Sequence, residues 1–226
     1  MDACLGDVTS LLANDRTTLE WLRDKTASIQ SLRSLYQSAD EAARRFSAAH
    51  GMGVYLSWNV LHESGDGGVL GLHVGGLIER KAADVDNMSY YLCISAEKKV
   101  GGRHRVLRKY HFDYASRDTR ARRRSPAFHL QYGGKLSPNM RDGYQLDHMD
   151  TWLEEPRVFF LPMSLSLVLH MAFREFPDEY TNRLCEDSYW QSTVRRDQKR
   201  LIQPYLQKCL GIVTKDGLLW DVVCNG

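Results

Sequence analysis

Apolar residues along this chain change their spacing twice, and each change marks a new kind of element. From Thr17 to His50 there is neither proline nor glycine, and apolar side chains return at helical intervals. Leu22, Ile29, Tyr36 and Ala43 share one seam position, and Leu32, Ala39 and Phe46 share the other with Lys25. The spacing predicts one long amphipathic helix, with Asp15 to cap its start and Gly51 to end it. Such a seam suits a helix laid across a sheet, and also a dimerising or partner-binding hairpin.

Beyond Gly51 the interval falls to two. Val54, Leu56, Trp58 and Val60 alternate with Tyr55, Ser57 and Asn59, and Leu70, Leu72, Val74 and Ile78 alternate with Gly71, His73 and Gly75. Both segments read as strands, and the glycines of Gly65-Asp66-Gly67-Gly68 between them supply the positive φ angles of a tight antiparallel reversal. Further strands are predicted over Met88–Ala96, Arg105–Ala115 and Ala127–Tyr132, for a sheet of about five members. The helical interval then returns. Pro162 stands at the first position of an apolar helix reaching Phe176 and stopped by Pro177; Asp187 caps another that reaches Leu210 and is bent or ended by Pro204. Ile212–Thr214, a Lys215-Asp216-Gly217 turn and Leu218–Val223 predict a closing hairpin.

A helix, then a run of strands, then helices indicates an α+β fold: an antiparallel sheet packed by the long N-terminal helix and the C-terminal helices. The 226 residues are expected to form a single domain, with a helical segment over 1–50, the sheet over 52–134, helices over 150–210 and the hairpin over 211–226. An apolar share of 43% and a charged share of 26% are those of a folded protein. Five cysteines, odd in number and with no C-x-x-C pair, read as reduced thiols and point to a cytoplasmic location. Met1–Leu12 has no basic and apolar pattern of a secretory signal, and Val158–Phe173 is too interrupted to span a bilayer, so no membrane contact is expected.

Chemistry is concentrated between Arg105 and Gly134. A period of two sorts Val106, Tyr110, Phe112 and Tyr114 onto one face of the first strand and Lys109, His111 and Asp113 onto the other. In the second strand Phe128, Leu130 and Tyr132 share a face, opposite His129 and Gln131. If the two strands are neighbours, His111, Asp113, His129 and Gln131 form one polar patch, expected in an open or watery groove because each of these groups needs a partner. A carboxylate can orient an imidazole, and two imidazoles can divide acid and base roles in phosphoryl transfer, with no metal or cofactor. The same residues also suit the solvated face of a one-sided sheet.

Net charge is only +2, so attraction for polyanions would have to be local. It is local in the connection between these strands, where Arg117, Arg120, Arg122, Arg123 and Arg124 stand against the single Asp118. Arginine forks grip phosphate and stack on unpaired bases, so this loop, with Lys109, is a candidate single-stranded nucleic-acid contact; a solvated hairpin tip or a surface for an acidic protein are the other readings. His111-x-Asp113 followed by His129 or His170 has the form of a two-histidine, one-carboxylate iron site. Asp147-His148-Met149-Asp150 could also supply ligands, although its acids suit a helix cap. No P-loop, nucleophile elbow or H-E-x-x-H is present, and Gly71-x-x-x-Gly75-Gly76 does not match a dinucleotide fingerprint.

Tyr110-His111-Phe112-Asp113-Tyr114, Pro126-x-Phe128-His129-Leu130-Gln131 with Gly133-Gly134, and Glu155-Pro156-Arg157 before Pro162-Met163-Ser164-Leu165 together resemble poorly characterised prokaryotic proteins of unknown function. The resemblance covers about residues 105–176 and implies a component of a mobile defence or toxin–antitoxin module; it assigns no catalytic residue. Three functions follow as expectations: a nucleic-acid-interacting component of such a module, a metal-independent ribonuclease or phosphodiesterase using His111 and His129, and a non-catalytic adaptor acting through its N-terminal helix.

Overall fold

The computed structural model describes residues 8–46, 52–61, 69–81, 84–100, 102–115, 127–133, 143–146 and 158–215. They form an α+β fold in which helices cover one face of a seven-stranded sheet. Strands β1 (Met52–Leu61), β2 (Val69–Lys81), β3 (Asp84–Val100), β4 (Arg103–Ala115) and β5 (Phe128–Tyr132) run as an antiparallel meander. These are the five strands that the alternating pattern predicts. Two short strands add to them: β6 (Tyr144–Leu146) lies parallel to the first part of β4, and β7 (Val158–Phe159) extends the sheet beyond β5. The segment Gly65–Gly68 lies outside the described residues.

Alternation sends Val54, Leu56, Trp58 and Val60 to the helical side, with Leu72, Val74, Tyr90, Leu92, Phe112 and Phe128 beside them in one core. Val106 departs from this sorting. Ile94 pairs with Arg108 but Ser95 pairs with Val106, so Leu107 is an extra residue in β4. A bulge of this kind reverses every side chain beyond it. Val106 accordingly packs with Tyr91 and Cys93 on the opposite face.

The long N-terminal helix is corrected to a helical hairpin. Helix α1 (Val8–Thr26) ends where Ile29 N bonds Thr26 O, a short 3-10 turn follows over Gln30–Leu32, and α2 (Arg33–Arg45) returns. Folding back buries Leu19, Leu22, Leu32, Leu35 and Ala39 together. Of the predicted seam, Leu22, Leu32 and Ala39 are buried in the chain's own core and Ile29, Ala43 and Phe46 pack against it. Asp15, expected as a cap, lies inside α1 and is buried; Gly51 lies outside the described residues.

Helix α3 (Leu165–Glu175) starts three residues after Pro162, because Ser164 is the residue whose side chain accepts Leu167 N. Phe173 on α3 meets the Trp58 ring edge-on at 5.4 Å, joining the helical layer to β1. Helix α4 (Glu179–Glu186), capped by Asp178 with Thr181 in a capping box, is an element the sequence reading omits. Asp187 caps α5 (Ser188–Asp197) as expected, through Trp190 N. A π turn over Gln198–Ile202 then leads into α6 (Gln203–Val213). Pro204 has no N–H to give and its ring crowds the carbonyl four residues back, so the helix widens there instead of ending. Ile212 and Val213 complete α6, so they do not open a hairpin; residues 216–226 lie outside the described set. No helix among the described residues is long and apolar enough to cross a membrane.

Candidate functional site on the polar face of the sheet

The strands carrying the two histidines are neighbours. In the β4–β5 ladder His111 stands opposite Gln131 and Asp113 opposite His129, so four residues separated in sequence become two successive rungs on one face. His129 Nε2 is 3.7 Å from Asp113 Oδ2, close enough for the carboxylate to act on the imidazole electrostatically.

The patch is more enclosed than the watery groove expected from the need for partners. Lys109 is 2% exposed and His129 4%. The Lys109 ammonium sits 5.5 Å from the centre of the Tyr91 ring, inside the face and away from a surface contact. Burial pulls Lys109 down to about 8, with Cys93 and Asp113 partly opposing that shift. Burial, then the Lys109 charge, pulls His111 down to about 3. His111 is therefore a neutral imidazole at physiological pH, suited to accept a hydrogen bond and unsuited to donate a proton as a general acid.

Gly133 closes the end of β5: its φ of 86° places it in the left-handed region, where its N–H bonds Lys109 O at 2.9 Å. The Gly133 backbone partly opposes the lowering of His111. His111 Nε2 is buried without a hydrogen-bond partner among the described residues.

Further along the same face, three strands build a hydrogen-bonded chain that sequence reasoning missed. Tyr55 Oη is 2.8 Å from His73 Nδ1, and His73 Nε2 is 2.9 Å from Ser95 Oγ. Tyr55 is also hydrogen-bonded to Tyr144, whose ring packs against His73 at 4.8 Å and His104 at 5.1 Å. Burial pulls His73 down to about 4, with the nearby His104 adding to the shift. The chain depends on the glycines of β2. A Cβ on Gly71 would lie 2.7 Å from Ser95 Oγ, and one on Gly75 would collide with the Tyr91 ring. The glycine-rich stretch thus clears space for rings within a paired strand. Its signal in sequence is Gly71-x-His73-x-Gly75, but the partners Tyr55 and Ser95 come from strands whose register no local pattern discloses.

A second buried polar cluster lies on the helical side. Asp197 accepts from Ser164 Oγ at 2.8 Å, Ser166 Oγ at 2.5 Å and Asn14 Nδ2 at 3.0 Å. Asp15 beside it accepts from Tyr90. These bonds link α1, α3, α5 and β3 and read as structural.

Other candidates separate from the patch. His170 lies on α3, in the helical layer, where its Nδ1 accepts from Trp190 Nε1 at 3.2 Å, so it does not join His111 and Asp113. Among the described residues no three His, Cys, Asp or Glu side chains gather as a metal-holding group. Arg117, Arg120, Arg122, Arg123 and Arg124 lie outside the described residues, as do Asp147, His148 and Asp150. No family model matches the chain, and no curated protein or solved structure is significantly similar to it.

Proposed function

We propose that this chain is a nucleic-acid-interacting component of a prokaryotic defence or toxin–antitoxin-type module, with single-stranded nucleic acid as its ligand. The observation that carries the reading is the attachment of the arginine-rich connection. It joins β4 to β5, whose last paired rungs are Asp113 with His129 and Tyr114 with Phe128. Both ends of the most basic segment of the chain are therefore anchored beside the polar rungs, so that arginines gripping phosphates would hold a strand near His111 and Gln131. The assignment to a defence or toxin–antitoxin module rests on the resemblance of residues 105–176.

The test is retardation of labelled single-stranded RNA and DNA in chelator over a range of salt. Affinity that falls steeply with salt, and is lost when the five arginines are replaced by alanine, supports the reading. Undiminished affinity in that variant removes it.

A metal-independent ribonuclease is the second reading, favoured by the Asp113–His129 pair, in which a carboxylate stands 3.7 Å from an imidazole that would act as base. His111, held neutral, fills the acid role poorly. Scoring cleavage on the same gels decides: cleavage abolished by His129→Ala in a folded protein selects the enzyme.

A further inference from the structure

We propose that the cleft at the turn of the helical hairpin binds a small aromatic carboxylate, its acid group on Arg33 and its ring against Tyr36. The site does not depend on the nucleic-acid reading. Helix α2 lies against β1, where Ser57 N bonds Ser38 Oγ at 3.1 Å, and β1 is three strands away from β4 in the sheet. Sequence spacing builds one wall of the cleft: Tyr36 and Gln37 follow Arg33 by three and four residues, so the three share a face of α2. Ser28, Ile29 and Gln30 of the turn face them across an open cleft of about 220 Å³.

Charge singles out Arg33. The other cations of residues 8–46 are each ion-paired: Arg16 with Glu20, Arg23 with Asp24, Lys25 with Asp187, Arg44 with Asp40 and Arg45 with Glu41. These pairs use every acid of the hairpin except Asp15, which is buried against Tyr90. Arg33 has no hydrogen-bond or ion-pair partner among the described residues, and no acid lines the cleft. It also opens α2, where the helix dipole disfavours a cation and no acid of the first turn offsets it. An anion in the cleft would give that charge a partner.

Size and charge narrow the class. The cleft is smaller than the roughly 300–1,000 Å³ of pockets that enclose drug-sized ligands, so one ring with its acid group fits and a nucleotide does not. One guanidinium balances one carboxylate, whose two oxygens match its fork, whereas a phosphate monoester brings about −1.5 to −2. Tyr36 and Ile29, both half-buried, offer apolar surface to the ring, and the Gln30 and Gln37 carboxamides can bond a polar substituent on it.

Three probes separate the two features: para-hydroxybenzoate has the ring and the charge, para-hydroxybenzamide has the ring alone, and acetate has the charge alone. Each is titrated into the full chain and followed by heteronuclear NMR of the backbone amides. Para-hydroxybenzoate is expected to shift amides within residues 27–37 and to saturate with a Kd of about 1 mM, a modest efficiency for about ten non-hydrogen atoms. The amide and acetate are expected to bind about fivefold more weakly or worse, the scale of one exposed ion pair. Arg33→Met, at an exposed position, is expected to bring the acid down to the affinity of the amide and to leave the amide unchanged. Equal affinity of the intact protein for acid and amide overturns the proposal, because the charge then plays no part. Acetate binding as tightly as the aromatic acid overturns it as well, as do shifts confined to other residues or the absence of any saturable shift. None of these outcomes bears on the nucleic-acid reading, and the comparison of probes on the intact protein decides even if Arg33→Met does not fold.

Discussion

Tyr90, midway along β3, donates its phenolic hydrogen to Asp15 Oδ2 across 2.5 Å and so ties the N-terminal helical hairpin to the sheet. Burial pushes the Asp15 carboxyl from its ordinary 3.8 up to about 7, the Tyr90 bond opposes this, and the neighbouring Asp197 carboxylate adds to it. The folded chain therefore takes up a proton that the unfolded chain has released. The contribution of Asp15 to stability is complete below about pH 4, is lost as pH rises toward 7, and is flat above it. Asp15→Asn is expected to remove that slope and to raise stability at pH 8 by an amount on the order of a few kcal/mol. The check is urea denaturation from pH 4 to 8, read as the difference between variant and wild type.

His73 acts in the opposite sense. Held neutral with its value lowered from 6.5 to about 4, it supports the fold above pH 6.5 and ceases to do so as pH falls toward 4. Ser95→Ala would strip Nε2 of its partner and cost about 1–2 kcal/mol. A loss below about 0.3 kcal/mol in denaturant titration would mean that another group replaces the hydroxyl.

Gly75 tests the ring-clearing role of β2. Its Cβ would occupy the place of the Tyr91 ring, so Gly75→Ala is expected to cost about 1–3 kcal/mol. Tyr91→Ala in the same chain should recover part of that cost, which a double-mutant cycle on the melting curves would measure.

Lys109→Met keeps the stem and removes the ammonium. The Lys109 charge helps hold His111 down, so the imidazole is expected to titrate higher in the variant, followed by NMR of the ring protons. An unchanged titration would assign the whole shift to burial.

The sheet was legible because alternation is local. One buried face obliges every second residue of Val54–Val60 or Leu70–Ile78 to be apolar, whatever lies next to it. The failures share a cause. The hairpin of α1 and α2 has no proline or glycine at its turn; it is defined by the burial of Leu19, Leu22, Leu32 and Leu35 in one core. Val106 changed faces through a bulge defined only by pairing with Ser95. Helix α4 was lost between Pro177 and Asp187, where eight residues give too little periodicity to count.

The candidate site divides in the same way. The polar identity of Lys109, His111, Asp113, His129 and Gln131 and their common side within each strand follow from sequence and a period of two. Register across β4 and β5 set His129 against Asp113 and His111 against Gln131. Burial, with the Lys109 charge, then held His111 neutral, and burial took Lys109 out of solvent. Sequence alone determined which groups could act and on which side of their strand they stand, because chirality and pleat are properties of each residue. Tertiary structure alone decided their partners, ionisation and access, because those depend on distances and desolvation that arise only when distant segments pack.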